Sequence, residues 1–490
     1  MKTELKGLLT MKKFISLITL CIALVMTSCE IPENLNDHPT DFEVSEVDAK
    51  LFLNGAQLAN VIVQASHLNR ITGMYSGQLV GYTSLYSNIY GYSLSTVESN
   101  GEWNRAYIGV VQNARHIQEI ASNDKFFVGV SKILEAHSIS TLAILMGDVP
   151  YKDIVSGDKD SDGITDVLAP KFDSQRDVLS DCLELLTSAI KDLSETSSRS
   201  EPYDIYYNGN KDHWTKSAYT LMARISLVIK DYDKAYRYAS LGIDSSSGDM
   251  LYKPRGESNV SEGDKNLFWT ILEGSRTGDI GNKGSYLMNL INPDSSMYRG
   301  NVKTNEKARF DYYLINEKSS TGNKGVVEQF EPQPLITFAE NSLILAESAT
   351  RTSGFSNGLA YLNKYRSWLT AGGRLNEEYN DPSQYLYEPY VDADFASSGV
   401  ENADGVTKEV ALLREIIEER YVSGFGTYMP FNDQRRLRGS GESNLIPPFP
   451  LNTESATSHV ERLPWAQDEL TSNSNAPDDP GLFAKTQVNR

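Results

Sequence analysis

Residues 214–244 are the clearest structural signal in the chain: W-T-K-S-A-Y-T-L-M-A-R-I-S-L-V-I-K-D-Y-D-K-A-Y-R-Y-A-S-L-G-I-D. Apolar residues recur every three to four positions in both halves, which is the spacing of one helix face. A polar run at 230–233 separates the halves, and small alanines on the apolar faces let two antiparallel helices approach closely. The apolar positions are Ala218, Leu221, Met222, Ile225, Val228 or Ile229, Ala235, Tyr238, Ala239 and Ile243. The stretch therefore predicts a tetratricopeptide-type helical hairpin.

The same periodicity continues on both sides of this hairpin, and few segments alternate as strands do. No clean 34-residue repeat is present, so any array of such hairpins is interrupted. The sequence predicts a mainly α protein, with a tetratricopeptide-like scaffold of helical hairpins and long irregular binding loops. The remaining predicted helices cover residues 45–63, 102–121, 126–146, 173–194, 334–350, 357–370 and 408–421.

Three long segments interrupt the helical pattern: residues 246–333, 371–407 and 437–490. Gly, Ser, Asn and Asp are frequent in them, and the last is rich in proline. Connections of this length are uncommon between helices and are usually functional. We expect them to be binding loops inserted into one domain that covers residues 46–490.

The N-terminus has the pattern of a secretory signal. Lys12 and Lys13 precede an apolar run at residues 14–26, and Thr27-Ser28-Cys29 follows it. This order predicts cleavage before Cys29, lipidation of its thiol, and a mature chain anchored to a membrane without spanning it. The alternative is an ordinary cleaved signal with a chance cysteine. We therefore predict a signal peptide at 1–28 and an acidic tether at 29–45, with Met1 or Met11 as the start.

Only three cysteines are present: Cys21, Cys29 and Cys182. Cleavage would remove Cys21 and lipidation would occupy Cys29, which leaves no pair for a disulfide within the chain. Cys182 lies in an amphipathic run, so we expect a buried, inert thiol.

The chain is acidic, with a formal net charge of −19. Loss of residues 1–28, which hold four lysines and one glutamate, would make it more acidic. Such a surface repels phosphate backbones, so nucleic-acid binding is not expected. No later apolar stretch is long enough to cross a bilayer, so the lipid would be the only anchor.

A G-x-S-x-G pattern at residues 354–358 resembles a nucleophile elbow by letter only. An elbow needs a strand before the serine, whereas a helix is predicted there. We expect a junction between helices, with Gly354 ending one and Ser356 or Asn357 capping the next.

An acidic run at residues 158–166 repeats the first part of a calcium loop, with carboxylates at positions 1, 3, 5 and 9 and glycine at 6. Position 12 is Ala169, so the bidentate glutamate is missing. The run is either a weak calcium site or an acidic loop exposed to solvent, and the sequence leaves both interpretations open. No other cofactor is expected. The candidate ligands are Asp158, Asp160, Asp162 and Asp166.

No histidine or cysteine cluster predicts zinc. Two carboxylates about 5–10 Å apart could act on a sugar, but nothing in the sequence singles out such a pair.

Tyrosine is abundant, at 27 residues, and clusters at residues 73–92 among glycines and serines. The glycines favour a loop there, and exposed rings beside amides could stack on sugar rings. Alternatively, these rings pack on the scaffold or against a protein partner. The candidate ligand-binding residues are Tyr75, Tyr82, Tyr86, Asn88, Tyr90 and Tyr92, with a second group of Trp269, Tyr286, Tyr298, Arg299 and Tyr312 in the mid-chain loops.

The order of several segments resembles the SusD/RagB family of surface lipoproteins. G-D-V-P at 147–150, the central hairpin at 215–235 and the helix pair at 334–349 and 361–366 carry the resemblance. Further carriers are Glu419-Arg420, the D-Q-R-R run at 433–436 and the closing segment from Arg462 through Asn475 and Pro477. Y-V-S-G-F-G after Arg420, and Trp465-Ala466 in place of the common tyrosine-proline, suggest a divergent branch.

The resemblance implies a non-enzymatic lipoprotein on the outer face of the outer membrane, where it captures glycans with a TonB-dependent, SusC-like transporter. The expected function is therefore nutrient binding, most simply of an oligosaccharide. Two alternatives stay open: a peptide-capturing protein of the same architecture, or a helical scaffold that mainly contacts the transporter.

Overall fold

The predicted hairpin is present in a computed structural model that describes residues 47–156, 169–258, 263–274, 276–315 and 323–490. Asn210 caps its first helix and Asp231 caps its second, each through its side-chain oxygen. The second helix ends at Ala239, five residues earlier than predicted. Residues 48–490 form one compact unit.

The mainly α class is confirmed, since helices dominate the described residues and strands are short. The helices are α1 (Ala49–Ala65), α2 (His67–Tyr75), α3 (Ser84–Tyr90), α4 (Asn100–Asn104), α5 (Asn113–Ile120), α6 (Lys125–Met146), α7 (Lys152–Ser156), α8 (Gln175–Ser194), α9 (Lys211–Val228), α10 (Tyr232–Ala239), α11 (Leu267–Leu272), α12 (Tyr286–Ile291), α13 (Lys307–Tyr313), α14 (Phe338–Ser353), α15 (Phe355–Thr370), α16 (Lys408–Ser423), α17 (Met429–Gly439) and α18 (Gln467–Ser472). A π-helical segment, Arg105–Gln112, joins α4 to α5.

The helices pack as antiparallel neighbours, with α6 on α8, α9 on α10 and α14 on α15. Helix α6 is the centre of the main core, since nearly all its residues are buried. The expectation that no later apolar stretch is long enough to cross a bilayer was wrong for this helix: among the described residues it alone has the length and apolar composition of a membrane span. However, 94% of that stretch is buried inside the protein. Asp124 caps its start, and Gly147, at φ 92°, ends it in a conformation that favours glycine.

Within the described residues, four antiparallel two-stranded ladders join segments between the helices. Each ladder joins segments that are distant in sequence or separated by a loop. The strand pairs are β1 (Val80–Gly81) with β5 (Ile280–Gly281), β2 (Val149–Pro150) with β3 (Phe172–Asp173), β4 (Met250–Tyr252) with β7 (Gln333–Ile336), and β6 (Thr304–Asn305) with β8 (Leu386–Tyr387).

Two predictions of irregular structure were wrong in part. The loop expected at 73–92 contains the end of α2 and all of α3, and the region 246–333 contains α11, α12 and α13. Burial drives these short helices, because each places apolar side chains in the core, among them Ile89 of α3, Leu272 of α11, Leu287 of α12 and Tyr312 of α13. Tertiary packing therefore overrides the low helix propensity of glycine and serine here.

The G-x-S-x-G segment is a helix junction, as predicted. Gly354, at φ 84°, ends α14 and also precedes the first residue of α15. The predicted cap by Ser356 or Asn357 was wrong, because α15 begins before them at Phe355. The Asn357 amide instead donates to the carbonyl of Ser353 at 2.8 Å, which satisfies the end of the preceding helix. Cys182 is buried and free, as expected.

The charged residues that carried the family resemblance at 419–436 are buried in ion pairs. Arg420 Nε lies 2.7 Å from Asp433 Oδ2, and Arg436 donates to both oxygens of Glu347 at 2.8 and 2.9 Å. Arg436 also contacts Asp433 at 3.0 Å, so α14, α16 and α17 are tied together. These residues therefore hold the scaffold.

Because of these buried ion pairs, we expect the protein to lose stability in acid. Burial alone would raise the pKa of Glu347, but Arg436, Arg351 and Arg420 lower it to about 2 from an ordinary 4.5. A carboxyl whose pKa is lower in the folded protein than in the unfolded chain stabilises the fold at any pH above its unfolded-state pKa. That stability is lost as the pH falls towards its folded-state pKa. We expect the free energy of unfolding, measured with urea, to decrease steadily from about pH 4.5 to about pH 2. The variant Glu347→Gln should show a shallower decrease, and a wild-type curve that is flat in this range would contradict the account.

Candidate functional site

The two groups of candidate ligand-binding residues are joined by the β1–β5 ladder. Val80 pairs with Gly281, and Gly81 pairs with Ile280. Beyond the ladder the Tyr82 amide donates to the carbonyl of Asp279 at 2.8 Å. The Tyr82 hydroxyl donates to the carbonyl of Lys283 at 3.0 Å. Because the two segments lie 200 residues apart, only the fold brings them together.

Part of the tyrosine cluster is accessible and forms what we call the tyrosine surface: Tyr82, Asn88, Tyr90, Tyr92 and Phe483. Asn88 is exposed, the three tyrosines are half-buried, and Phe483 is 48% exposed. The Tyr92 and Phe483 rings meet edge to face, with centroids 6.0 Å apart. Burial raises the pKa of the Tyr90 hydroxyl and of the Tyr92 hydroxyl, so both are neutral hydrogen-bonding groups at physiological pH.

Asn452 holds Tyr90 and Tyr92 of the tyrosine surface in place. Its backbone amide donates to the Tyr92 hydroxyl at 2.9 Å, and its side-chain amide donates to the carbonyls of Met74 and Tyr90 at 3.0 and 3.1 Å. Sequence reasoning missed both Asn452 and Phe483, because they lie in the C-terminal loop and no local pattern links them to residues 82–92.

Two candidate tyrosines lie in the core, with Tyr75 1% and Tyr86 2% exposed. The Tyr86 hydroxyl accepts a hydrogen bond from Arg70 Nε at 3.0 Å. The Tyr75 ring packs against Tyr92, with centroids 5.6 Å apart. Neither ring is open to a ligand in this structure, and Tyr75 supports the tyrosine surface from beneath through its contact with Tyr92.

The second candidate group is divided among separate surroundings. Trp269 is half-buried in α11, with the Lys265 ammonium 5.1 Å from its ring centroid. Tyr286 is buried, and its ring centroid lies 6.0 Å from that of Tyr421 and 6.1 Å from that of Phe449. Tyr312 is also buried, and its hydroxyl donates to Glu331 at 2.7 Å.

Arg299 is enclosed rather than exposed to a ligand. Its side chain is 3% exposed, and its guanidinium contacts four carboxylates at 2.6–3.0 Å. Burial alone would lower its pKa, but these carboxylates together raise it well above the ordinary value. The neighbouring Tyr298 is half-buried, and its hydroxyl accepts from the Glu306 amide at 2.8 Å. The four carboxylates belong to Glu306, Glu415, Glu418 and Glu419.

Two predicted features fall outside the described residues: lipidated Cys29 with its tether, and the acidic run at 158–166. Calcium binding by Asp158, Asp160, Asp162 and Asp166 therefore stays a prediction. Elsewhere, in the part of the chain that the structure describes, no group of three or more His, Cys, Asp or Glu side chains could hold a metal ion.

A second concave site lies between the helices. This central cavity has a volume of about 390 Å³ and is bordered by α6, α9, α14, α15, α16 and α17 and by the loop 371–376. None of the candidate ligand-binding residues predicted from the sequence lines it. The residues that matter for its chemistry are Arg224, Asp249, Trp368, Arg374, Asn376 and Arg420.

Gly81 fixes the approach of β1 to α3, which predicts a cost for any side chain there. A Cβ at Gly81 would lie 2.0 Å from the carbonyl oxygen of Tyr86. We expect Gly81→Ala to lower the free energy of unfolding by about 1–3 kcal/mol, because backbone must move. Gly101→Ala is the matched control, since nothing lies within 4 Å of its Cβ position and α4 tolerates alanine. Equal stability of the two variants in urea would contradict this packing.

Comparisons with known proteins agree on one class of helical fold. A family model described as "SusD-like_2: Starch-binding associating with outer membrane" matches residues 41–248. No curated protein matches the chain.

Solved structures share the fold across nearly the whole chain. A SusD/RagB family protein from Bacteroides thetaiotaomicron is 18% identical with a TM-score of 0.63. The aligned region covers 88% of this chain and 95% of that protein. A chitin-binding SusD homologue from Flavobacterium johnsoniae is 18% identical with a TM-score of 0.62, covering 89% and 98%. A SusD homologue from Bacteroides uniformis is 16% identical with a TM-score of 0.63, covering 92% and 100%. At these identities the likeness concerns the fold.

The resemblance to the SusD/RagB family is therefore confirmed: residues 41–248 match a SusD-like family model, and the described chain has the SusD/RagB fold. Proteins of this family are associated with the outer membrane, bind nutrients and work with SusC-like transporters.

Proposed function

We propose that this protein is a non-catalytic, lipid-anchored protein of the cell surface that captures an oligosaccharide for a TonB-dependent transporter. The observation that carries the proposal is the tyrosine surface, where the β1–β5 ladder and Asn452 fix aromatic rings beside exposed Asn88. Flat aromatic faces stack on sugar rings, and amide and hydroxyl groups bind their hydroxyls.

The rigid support of these rings favours a binding role over simple packing. The hydroxyls of Tyr82 and Tyr92 are already hydrogen-bonded to backbone groups, so a ligand would meet rings whose rotamers are fixed. Fixed rings lose little entropy on binding. A peptide is the alternative ligand, since aromatic side chains also anchor peptide contacts.

A screen of purified mature protein against a glycan array and a peptide library separates the two ligand classes. We expect binding to one group of related oligosaccharides and none to the peptides. Binding to peptides alone would contradict the glycan proposal and assign the protein to peptide capture.

The transporter partnership needs a separate test. Co-purification of the lipid-anchored chain with the transporter should persist in a variant with Tyr82 and Tyr90 changed to alanine, while glycan binding falls. Loss of the complex with intact glycan binding would instead support a scaffold whose tyrosines contact the transporter.

A further inference from the structure

The central cavity has walls of mixed character. Its interior is mostly apolar, with Leu227, Leu335 and Leu375 among the lining residues. Trp368, which is half-buried, also lines it. The Trp368 ring is held by Phe338 and Tyr365, whose centroids each lie 5.4 Å away. A fixed indole beside an apolar wall is suited to the flat face of a small ring.

Two of the three arginines in the cavity are neutralised by protein carboxylates. Arg224 binds both oxygens of Glu340 at 2.6 and 2.7 Å. Arg420 binds both oxygens of Asp433 at 2.7 and 3.1 Å. These pairs leave little net charge for a ligand to meet.

Arg374 differs from both. Within the described residues its guanidinium has one hydrogen bond, to the carbonyl of Phe425 at 3.2 Å, and no carboxylate lies within ion-pair distance. Two carboxyls of the lining bond to other groups instead: Asp249 accepts from the Phe338 amide at 2.6 Å, and Glu331 accepts from the Tyr312 hydroxyl at 2.7 Å and from the Asn376 amide at 3.0 Å. Burial raises the pKa of Asp249 to about 7, so it carries only part of a charge at neutral pH. Arg374 is thus the cation of the cavity that lacks an anionic partner.

Two further polar atoms in the lining have no partner. Arg420 Nη1 and Asn376 Oδ1 are both buried without a hydrogen bond, and the whole Arg420 side chain is only 3% exposed. Buried polar atoms of folded proteins are normally satisfied, so a donor and an acceptor are available to a ligand here. Together with Arg374 they would recognise an anionic group attached to hydroxyls.

We propose that the central cavity binds a small acidic sugar of the hexuronate class, with its carboxylate on Arg374 and its ring against Trp368. A volume of about 390 Å³ is within the range of small-ligand sites. The guanidinium supplies two parallel hydrogen bonds to a carboxylate, which a neutral group cannot accept equally well. This site is separate from the tyrosine surface and does not rest on the proposed function.

Calorimetry with D-glucuronate, D-glucuronamide and D-glucose tests the proposal on the unmodified protein. We expect D-glucuronate to bind at least about tenfold more tightly than the other two, because only it offers a charge-assisted bond to Arg374. Equal binding of D-glucuronate and D-glucuronamide, or no binding of D-glucuronate, would overturn it.

Variants locate the ligand. Arg374→Gln should weaken D-glucuronate binding at least about tenfold and leave D-glucuronamide unchanged. Arg414→Gln is the matched control, because Arg414 is a surface residue paired with Asp404. Tyr82→Ala should retain D-glucuronate binding, so failure of the glycan proposal and failure of the cavity proposal give different results. Unchanged D-glucuronate binding in Arg374→Gln would also overturn the proposal.

Discussion

Replacing Arg299 with methionine is expected to lower the free energy of unfolding by about 3–5 kcal/mol, because it leaves buried carboxylates without their cation. The guanidinium contacts Glu306, Glu415 and Glu419 at 2.6–3.0 Å, and all are almost fully enclosed. Arg309 would still pair with Glu306 and Glu419. The remaining negative charge would repel itself in surroundings that solvate it poorly. Urea unfolding followed by circular dichroism measures the loss.

Arg414→Met is the control for this substitution. Arg414 also forms a bidentate pair, with Asp404 at 2.7 and 2.8 Å, but its side chain is 34% exposed. An exposed pair contributes about 0–1 kcal/mol, so this variant should stay close to wild type. Similar losses in the two variants would contradict a structural role for Arg299, as would a stable Arg299→Met protein that has lost glycan binding.

The scaffold was predictable because it rests on local periodicity. The helices at 126–146, 173–194, 214–230 and 408–421 correspond to α6, α8, α9 and α16 within a few residues. Each carries an apolar stripe long enough to be seen without knowing its partner. The short helices α2, α3 and α13 were missed because their glycines, serines or charges hide a helix that only tertiary packing stabilises. Helices α11 and α12 were missed because six residues are too few to show a helical period.

The candidate site was predictable in composition but not in exposure. Tyr75 and Tyr82 have similar sequence surroundings, yet one ring is in the core and the other is half-exposed. The difference comes from groups far along the chain, such as Asn452 for Tyr92 and Lys283 for Tyr82. Arg299 was misplaced for the same reason, because most of the carboxylates that enclose it lie more than 100 residues away.

Removing the rings of the tyrosine surface is expected to abolish most glycan binding. Stacked aromatic pairs contribute about 0.5–1.5 kcal/mol beyond the area that they bury, and we expect a similar contribution from each ring stacked on a sugar. The combined variant Tyr82→Ala, Tyr90→Ala and Phe483→Ala should therefore lose about 2–4 kcal/mol of binding free energy. Its fold should persist, because none of these three rings is fully buried. Far-ultraviolet circular dichroism and thermal unfolding check this.

Tyr203→Ala is the control for the loss of an accessible ring. Tyr203 is 43% exposed, which is close to the value for Phe483, and it lies outside the tyrosine surface. Its removal should leave glycan affinity unchanged, so that any general effect of removing surface aromatic rings is separated from the effect of the site.

The most direct test of the central claim is a calorimetric titration of the oligosaccharide selected by the array into wild type, the triple variant and Tyr203→Ala. The account predicts equal affinity for wild type and Tyr203→Ala, and a loss of roughly 30-fold or more in the triple variant. Undiminished binding by a folded triple variant would contradict glycan capture at the tyrosine surface.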